Sequence, residues 1–224
     1  MPGVHRVDAG SELKEAHQAT DAPAMDYLEQ VRPYNHDRRP SPASAALLVI
    51  DMQEFFSDIA QAIVPAIGRL VAAARTAGCP VIFTRHGHRD LLVDGGALAA
   101  WWGEDLAMVG TPAWQIISGL APRPGDPVID KHHYSAFFGT GLDLVLEPLP
   151  VTDLIICGVM TNCCCETTAR DAFMRDYRVF VAADGTAATN TDLHVSSLKG
   201  MAYACASIVA VDDLVETLTS NDSG

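Results

Sequence analysis

What most constrains this chain is an alternation of short, continuous apolar runs, rich in β-branched residues, with longer amphipathic stretches. The runs cover residues 45–51, 81–85, 127–131, 153–158, 178–183 and 207–211. They are apolar on nearly every residue rather than every second one, as strands covered on both faces are. Helical periodicity fills 63–77, 141–147, 162–175, 191–203 and 213–220, and Gly78-Cys79-Pro80 closes the first of these stretches as a C-terminal glycine followed by proline does. This rhythm predicts an α/β fold: a three-layer, Rossmann-like sandwich with a six-stranded parallel sheet and helices on both faces.

At 224 residues, 49% hydrophobic and 19% charged, the chain has the size and composition of one large globular domain. The first 43 residues are polar, carry Pro23, Pro33, Pro40 and Pro42, and show only a short helix-like stretch at 11–17. They are read as an N-terminal extension or arm, with the domain over 44–220 and a flexible tail at 221–224. The connection 89–126 is far longer than an ordinary loop and holds Trp101, Trp102 and Trp114, which predicts a pocket wall.

A net charge of −13 disfavours nucleic acid and anionic membrane surfaces as partners. The apolar runs fall short of the roughly 20 residues a membrane helix needs, and the opening Met-Pro-Gly-Val-His-Arg leads into polar sequence without a signal-type segment. No membrane association and a cytoplasmic location are the expectations. Cys79, Cys157, Cys163, Cys164, Cys165 and Cys205 follow neither a disulfide framework nor C-x-x-C spacing, so the thiols are expected reduced.

In an open parallel sheet, ligands bind beyond the carboxyl ends of the strands, so polar residues that end strands carry the chemistry. Asp51 ends the first run, Lys131, one of three lysines, ends the third, and Cys164 follows the fourth by one short turn at the start of a helical stretch. A helix N-terminus favours the thiolate, and a nearby ammonium adds to that, so Cys164 is a candidate nucleophile. Cys163 and Cys165 sit about 100° to either side on a helix, so at most one of the three thiols faces a given pocket, and spacing alone does not choose among them. Taken singly, an Asp after a strand is as often a turn former, a Lys a surface residue and a Cys a small buried hydrophobe. The three at the ends of three strands shift that balance.

The segments Ala46-Leu47-Leu48-Val49-Ile50-Asp51-Met52-Gln53, Lys131-His132-His133-Tyr134-Ser135-Ala136-Phe137 and Gly158-Val159-Met160-Thr161-Asn162-Cys163-Cys164 resemble the three signature blocks of the isochorismatase-like, or cysteine hydrolase, superfamily. Thr168 to Phe173 and Ala183-Asp184-Gly185 continue the match, which runs from about residue 45 to the C-terminus. The resemblance implies the same α/β fold and a catalytic Asp51, Lys131 and Cys164, the Gly-Val-x-Thr-x-x-Cys spacing selecting Cys164. It also implies a cis peptide between Val159 and Met160, an oxyanion hole formed by the backbone N–H groups of Met160 and Cys164, and homo-oligomers.

The implied chemistry is hydrolysis of a small amide or lactam through a thioester, with Asp51 as base and acid. The alternative is isochorismatase-type vinyl ether hydrolysis, in which Asp51 protonates the enol carbon and no thiol is needed. Tyr134 to Phe137 and Trp102-Gly103 are similar to the vinyl ether enzymes, whereas the complete nucleophile block is similar to the cysteine hydrolases. Phe55, Trp102, Tyr134 and Phe137 suggest an aromatic-lined pocket for a small-molecule substrate, with Arg85 able to receive a carboxylate and His86 a substrate contact. His86-Gly87-His88 stands where nicotinamidase-like members carry an Asp-x-His zinc motif. With His86 replacing the Asp and no third ligand evident at the family position, neither a metal nor another cofactor is expected.

Overall fold

The structure is a computed structural model, and it describes residues 24–220; the expected helix at 11–17 and the tail at 221–224 lie outside them. Six strands form one parallel sheet: β1 (Ala45–Ile50), β2 (Val81–His86), β3 (Val128–Lys131), β4 (Asp153–Val159), β5 (Arg178–Ala187) and β6 (Ala206–Val209). Their spatial order is β3-β2-β1-β4-β5-β6. Chain direction across the sheet therefore reverses between β1 and β4, and Asp51 and the Cys164 turn leave the sheet on either side of that crevice.

The larger helices are α1 (Ala24–Val31), α2 (Val64–Thr76), α3 (Gly96–Trp102), α4 (Leu142–Leu146), α5 (Glu166–Phe173), α6 (Thr191–Ala204) and α7 (Val211–Thr219). Two cores divide the alternating side chains of the central strand. Ala45, Leu47 and Val49 pack with Ile67 and Leu70 of α2 and Leu214 and Leu218 of α7. Ala46, Leu48 and Ile50 pack with Val31, Leu142, Ala169, Leu198 and Met201 on the opposite face. This two-sided burial is why β1 reads as an unbroken apolar run; each of its fully buried large side chains contributes about 1.5–3 kcal/mol.

Strand positions follow the sequence closely, with one difference at β5. That strand runs on to Ala187, and its pairing with β4 jumps from Ile156↔Val181 to Gly158↔Thr186, so residues between Val181 and Thr186 bulge out of register. The bulge lets Asp184 accept the Val211 N–H at 2.7 Å and cap the entry to α7.

The described part of the N-terminal extension lies on the same body. Val31 is buried in the second core, Asn35 exchanges two 2.8 Å hydrogen bonds with the backbone of Ile208, and the Ser41 N–H donates to buried Asp153. Residues 54–76 form a helical run of 23 residues, long and apolar enough by composition to cross a membrane. In the fold its apolar side, including Ile63, Ile67, Leu70 and Ala74, faces the sheet.

Candidate active site

Asp51 leaves β1 in the left-handed region at φ 47°, which turns its carboxylate across the sheet edge. Thr84, on β2, donates its hydroxyl to Asp51 Oδ1 at 2.6 Å and accepts the Asp51 N–H at 3.0 Å. One carboxylate oxygen is thereby fixed. The other, Oδ2, lies 2.7 Å from Lys131 Nζ, an ion contact without a well-aligned hydrogen bond, since Oδ2 is buried with no directed donor.

Lys131 ends β3 fully buried, and its ammonium donates to the His133 carbonyl at 2.9 Å and to Cys164 Sγ at 3.2 Å. Burial alone would lower its pKa, but Asp51 and Cys164 outweigh that and hold it above the usual lysine value. The structure thus brings Asp51, Lys131 and Cys164 into one contact.

Cys164 sits where the sequence places a helix start, but that start is a single π-type turn, Thr161–Cys165, ahead of α5. The Val159–Met160 peptide before it is cis, and the Met160 carbonyl accepts both the Cys163 and Cys165 N–H groups at 3.1 Å. Of the three consecutive cysteine N–H groups, that of Cys164 is the one not directed at Met160.

The expected depression of the Cys164 pKa is corrected. Burial pushes this thiol up strongly, the negative charge of nearby Asp51 adds to the rise, and Lys131 only partly opposes them. The resting group is a protonated thiol, because desolvation of a fully enclosed sulfur outweighs one neighbouring ammonium.

The remaining expected site residues divide. His86 follows Thr84 by two along β2 and so shares the face that meets Asp51. It is 4% exposed, its Nδ1 has no partner, and burial lowers its pKa to about 3, so it is a neutral imidazole. Trp102 of α3 donates to the Tyr134 hydroxyl at 2.7 Å. Phe55 is half-buried against Phe56 just beyond β1.

Arg85 is a correction. Alternation turns it to the opposite face from His86, where it is engaged by Asp130 at 2.8 Å and stacked 3.7 Å over Trp114, so it is not free to receive a substrate carboxylate. Phe137 is a second correction: it is 3% exposed, part of the second core, and covered by Arg175 at 4.6 Å. A groove of about 740 Å³ opens beside Tyr134, lined also by Leu98, Trp101, Phe138, Arg170 and Met174. The long connection supplies its Leu98 and Trp101 wall.

A third ligand-type group beside His88 was not evident in the sequence, and the fold supplies it. One ligand atom each of His88, Asp94 and His132 lie within 4.8 Å of one another, and His88 Nε2 is buried without a partner. Two imidazoles and a carboxylate form a donor set that suits a divalent ion such as zinc. The signal was local: Asp94 folds back to accept the Arg89 N–H at 2.8 Å, a tight loop that sequence spacing does not reveal. Thr84, likewise missed, was legible only through its two-residue spacing from His86.

An all-parallel α/β sandwich thus brings a thiol, an ammonium and a carboxylate together at its switch point, a set of groups able to carry out nucleophilic hydrolysis. A family model for the isochorismatase domain matches residues 45–213; the chain belongs to the isochorismatase family and is a hydrolase. It is 41% identical over 186 residues to Nicotinamidase 3 of Arabidopsis thaliana, covering 82% of this chain and 93% of that one. It is 31% identical over 207 residues to Ureidoacrylate amidohydrolase RutB of Pseudomonas syringae pv. syringae, covering 80% and 81%. The crystal structure of a cysteine hydrolase from Pseudomonas syringae pv. phaseolicola superposes with a TM-score of 0.77 at 31% identity, covering 81% of this chain and 95% of that one.

Proposed function

We propose that this hydrolase cleaves the C–N bond of a small amide or lactam through a thioester on Cys164. The carrying observation is the three-way contact in which Lys131 Nζ lies 3.2 Å from Cys164 Sγ and 2.7 Å from Asp51 Oδ2. The amide-cleaving names of the relatives, a nicotinamidase and an amidohydrolase, support it.

The thiol rests protonated, so it needs a base, and Asp51 Oδ2, the carboxylate oxygen without a directed donor, takes the proton as sulfur attacks the carbonyl. Lys131 holds the thiolate and carboxylate together during that transfer. The carbonyl oxygen becomes an oxyanion received by the N–H groups of Met160 and Cys164, and loss of one such donor costs about 100-fold or more in rate. Asp51 returns its proton to the departing nitrogen as the C–N bond breaks, leaving the thioester. It then takes a proton from the attacking water, and collapse of the second tetrahedral intermediate releases the acid and restores the thiol. His86, neutral and unpartnered at Nδ1, offers the substrate one hydrogen bond. His88, whose ring centroid lies 5.1 Å from that of His86, would with Asp94 and His132 hold a divalent ion, which would supply positive charge to a polar substrate group.

The test is ammonia release from nicotinamide and a panel of small amides and lactams, with isochorismate assayed in parallel. Amide turnover lost in Cys164→Ala is the expected result. Isochorismate turnover that survives Cys164→Ala would instead assign vinyl ether hydrolysis with Asp51 as the acid.

A further inference from the structure

The turn that carries Cys164 lacks the usual means of holding a helix start. Met160, at its N-cap, supplies no side-chain hydrogen bond, and the turn closes through wide i to i+5 bonding. Its support comes from α6. His194 Nδ1 lies 2.8 Å from the Thr161 hydroxyl, and Ser197, three residues along the same helical face, has its hydroxyl oxygen 2.5 Å from Glu166 Oε2 and 3.2 Å from the Thr161 carbonyl, so its single proton is shared between these two acceptors. Both ends of the turn are thus tied to one face of one helix, and Asn190 fixes where that helix begins by accepting the Leu193 N–H at 2.9 Å.

His194 is backed from the other side by the N-terminal extension. The Tyr27 ring of α1 meets it edge to face, with centroids 5.0 Å apart. Thr161 is fully buried and His194 is 4% exposed, so their contact is shielded from bulk solvent. Burial also lowers the His194 pKa to about 4 and keeps the imidazole neutral.

We propose that His194, backed by Tyr27, is a positioning residue: by gripping Thr161 it sets the orientation of the nucleophile turn and hence the approach of Cys164 Sγ to Lys131. A residue outside the family-matched region, Tyr27, thereby acts on the active site through two contacts. The inference rests on the cysteine-hydrolase reading for its consequence in catalysis, but its geometry is tested without a substrate.

The experiment measures the iodoacetamide alkylation rate of Cys164, resolved from Cys163 and Cys165 by peptide mapping, in the full chain. His194→Asn places an amide atom where Nδ1 was, His194→Gln places it one bond too far, and His194→Leu offers none. The Asn variant is expected within about 3-fold of the parent, and Gln and Leu shifted at least ~10-fold at Cys164 with Cys163 unchanged, since small misplacements of a reacting group cost up to ~100-fold. Tyr27→Phe is expected to match the parent, and Tyr27→Ala to fall between parent and His194→Leu. Should His194→Leu fail to fold, the Asn and Gln pair, compared at equal melting temperature, still decides. Equal Cys164 rates in Asn and Gln variants would overturn the proposal. The amide reading fails separately, through a Cys164→Ala enzyme that retains turnover.

Discussion

At Cys164 two forces oppose each other: burial favours the neutral thiol and Lys131 favours the thiolate, and burial prevails. The proposed division of labour, in which Asp51 takes the thiol proton, follows from that. Cys164→Ala should lower amide turnover by at least ~1,000-fold without changing the melting temperature, whereas Cys163→Ala and Cys165→Ala should keep most activity; comparable losses at all three would indicate a packing defect. Thr84→Val should destabilise the fold by about 1–3 kcal/mol, because it leaves the Asp51 N–H and Oδ1 buried without their shared partner. Thr84→Ser should recover most of that in urea denaturation. Asp51 and Lys131 were legible because each is the polar residue that closes an apolar strand run, whereas the choice of Cys164 among three adjacent thiols came from the family resemblance and not from spacing. Arg85 and Phe137 were not legible, because which side of a strand or loop they face depends on tertiary partners, Asp130 and Trp114 for one and the second core for the other.

Among the elements, the tightest constraint is where β1 and β4 meet beneath the site. Gly158 pairs with Ile50 and adopts φ +114°, and a Cβ there would stand 2.0 Å from the Ile50 carbonyl oxygen. Gly158→Ala therefore meets both a backbone clash and an unfavourable φ, and should destabilise by about 3 kcal/mol or more, read as lost soluble protein or a large drop in melting temperature. A variant as stable as the parent would contradict the close approach. Strand positions were readable from continuous apolar runs, and the crossover helices from their periodicity. The β5 extension and the π-type turn were not, because both arise from register between neighbouring strands and from α6 packing, which leave no local periodic trace.

On the scale of the whole molecule, buried neutral histidine ties stability to pH. His194 carries a folded pKa near 4 against 6.5 when unfolded, so the unfolded chain binds more protons between those values. Its contribution is present above pH 6.5 and is lost as pH falls toward 4, about 2 kcal/mol by pH 5. The urea midpoint should fall from pH 7.5 to pH 5 more steeply in the parent than in His194→Asn; parallel falls would contradict it.

The proposed covalent intermediate on Cys164 is tested most directly by acid-quenching the protein during turnover of its fastest amide and weighing it intact, then mapping the modified peptide. A mass increase equal to the acyl group, located on Cys164 and removed by hydroxylamine, is the predicted result. Turnover with no adduct, undiminished in Cys164→Ala, would contradict it.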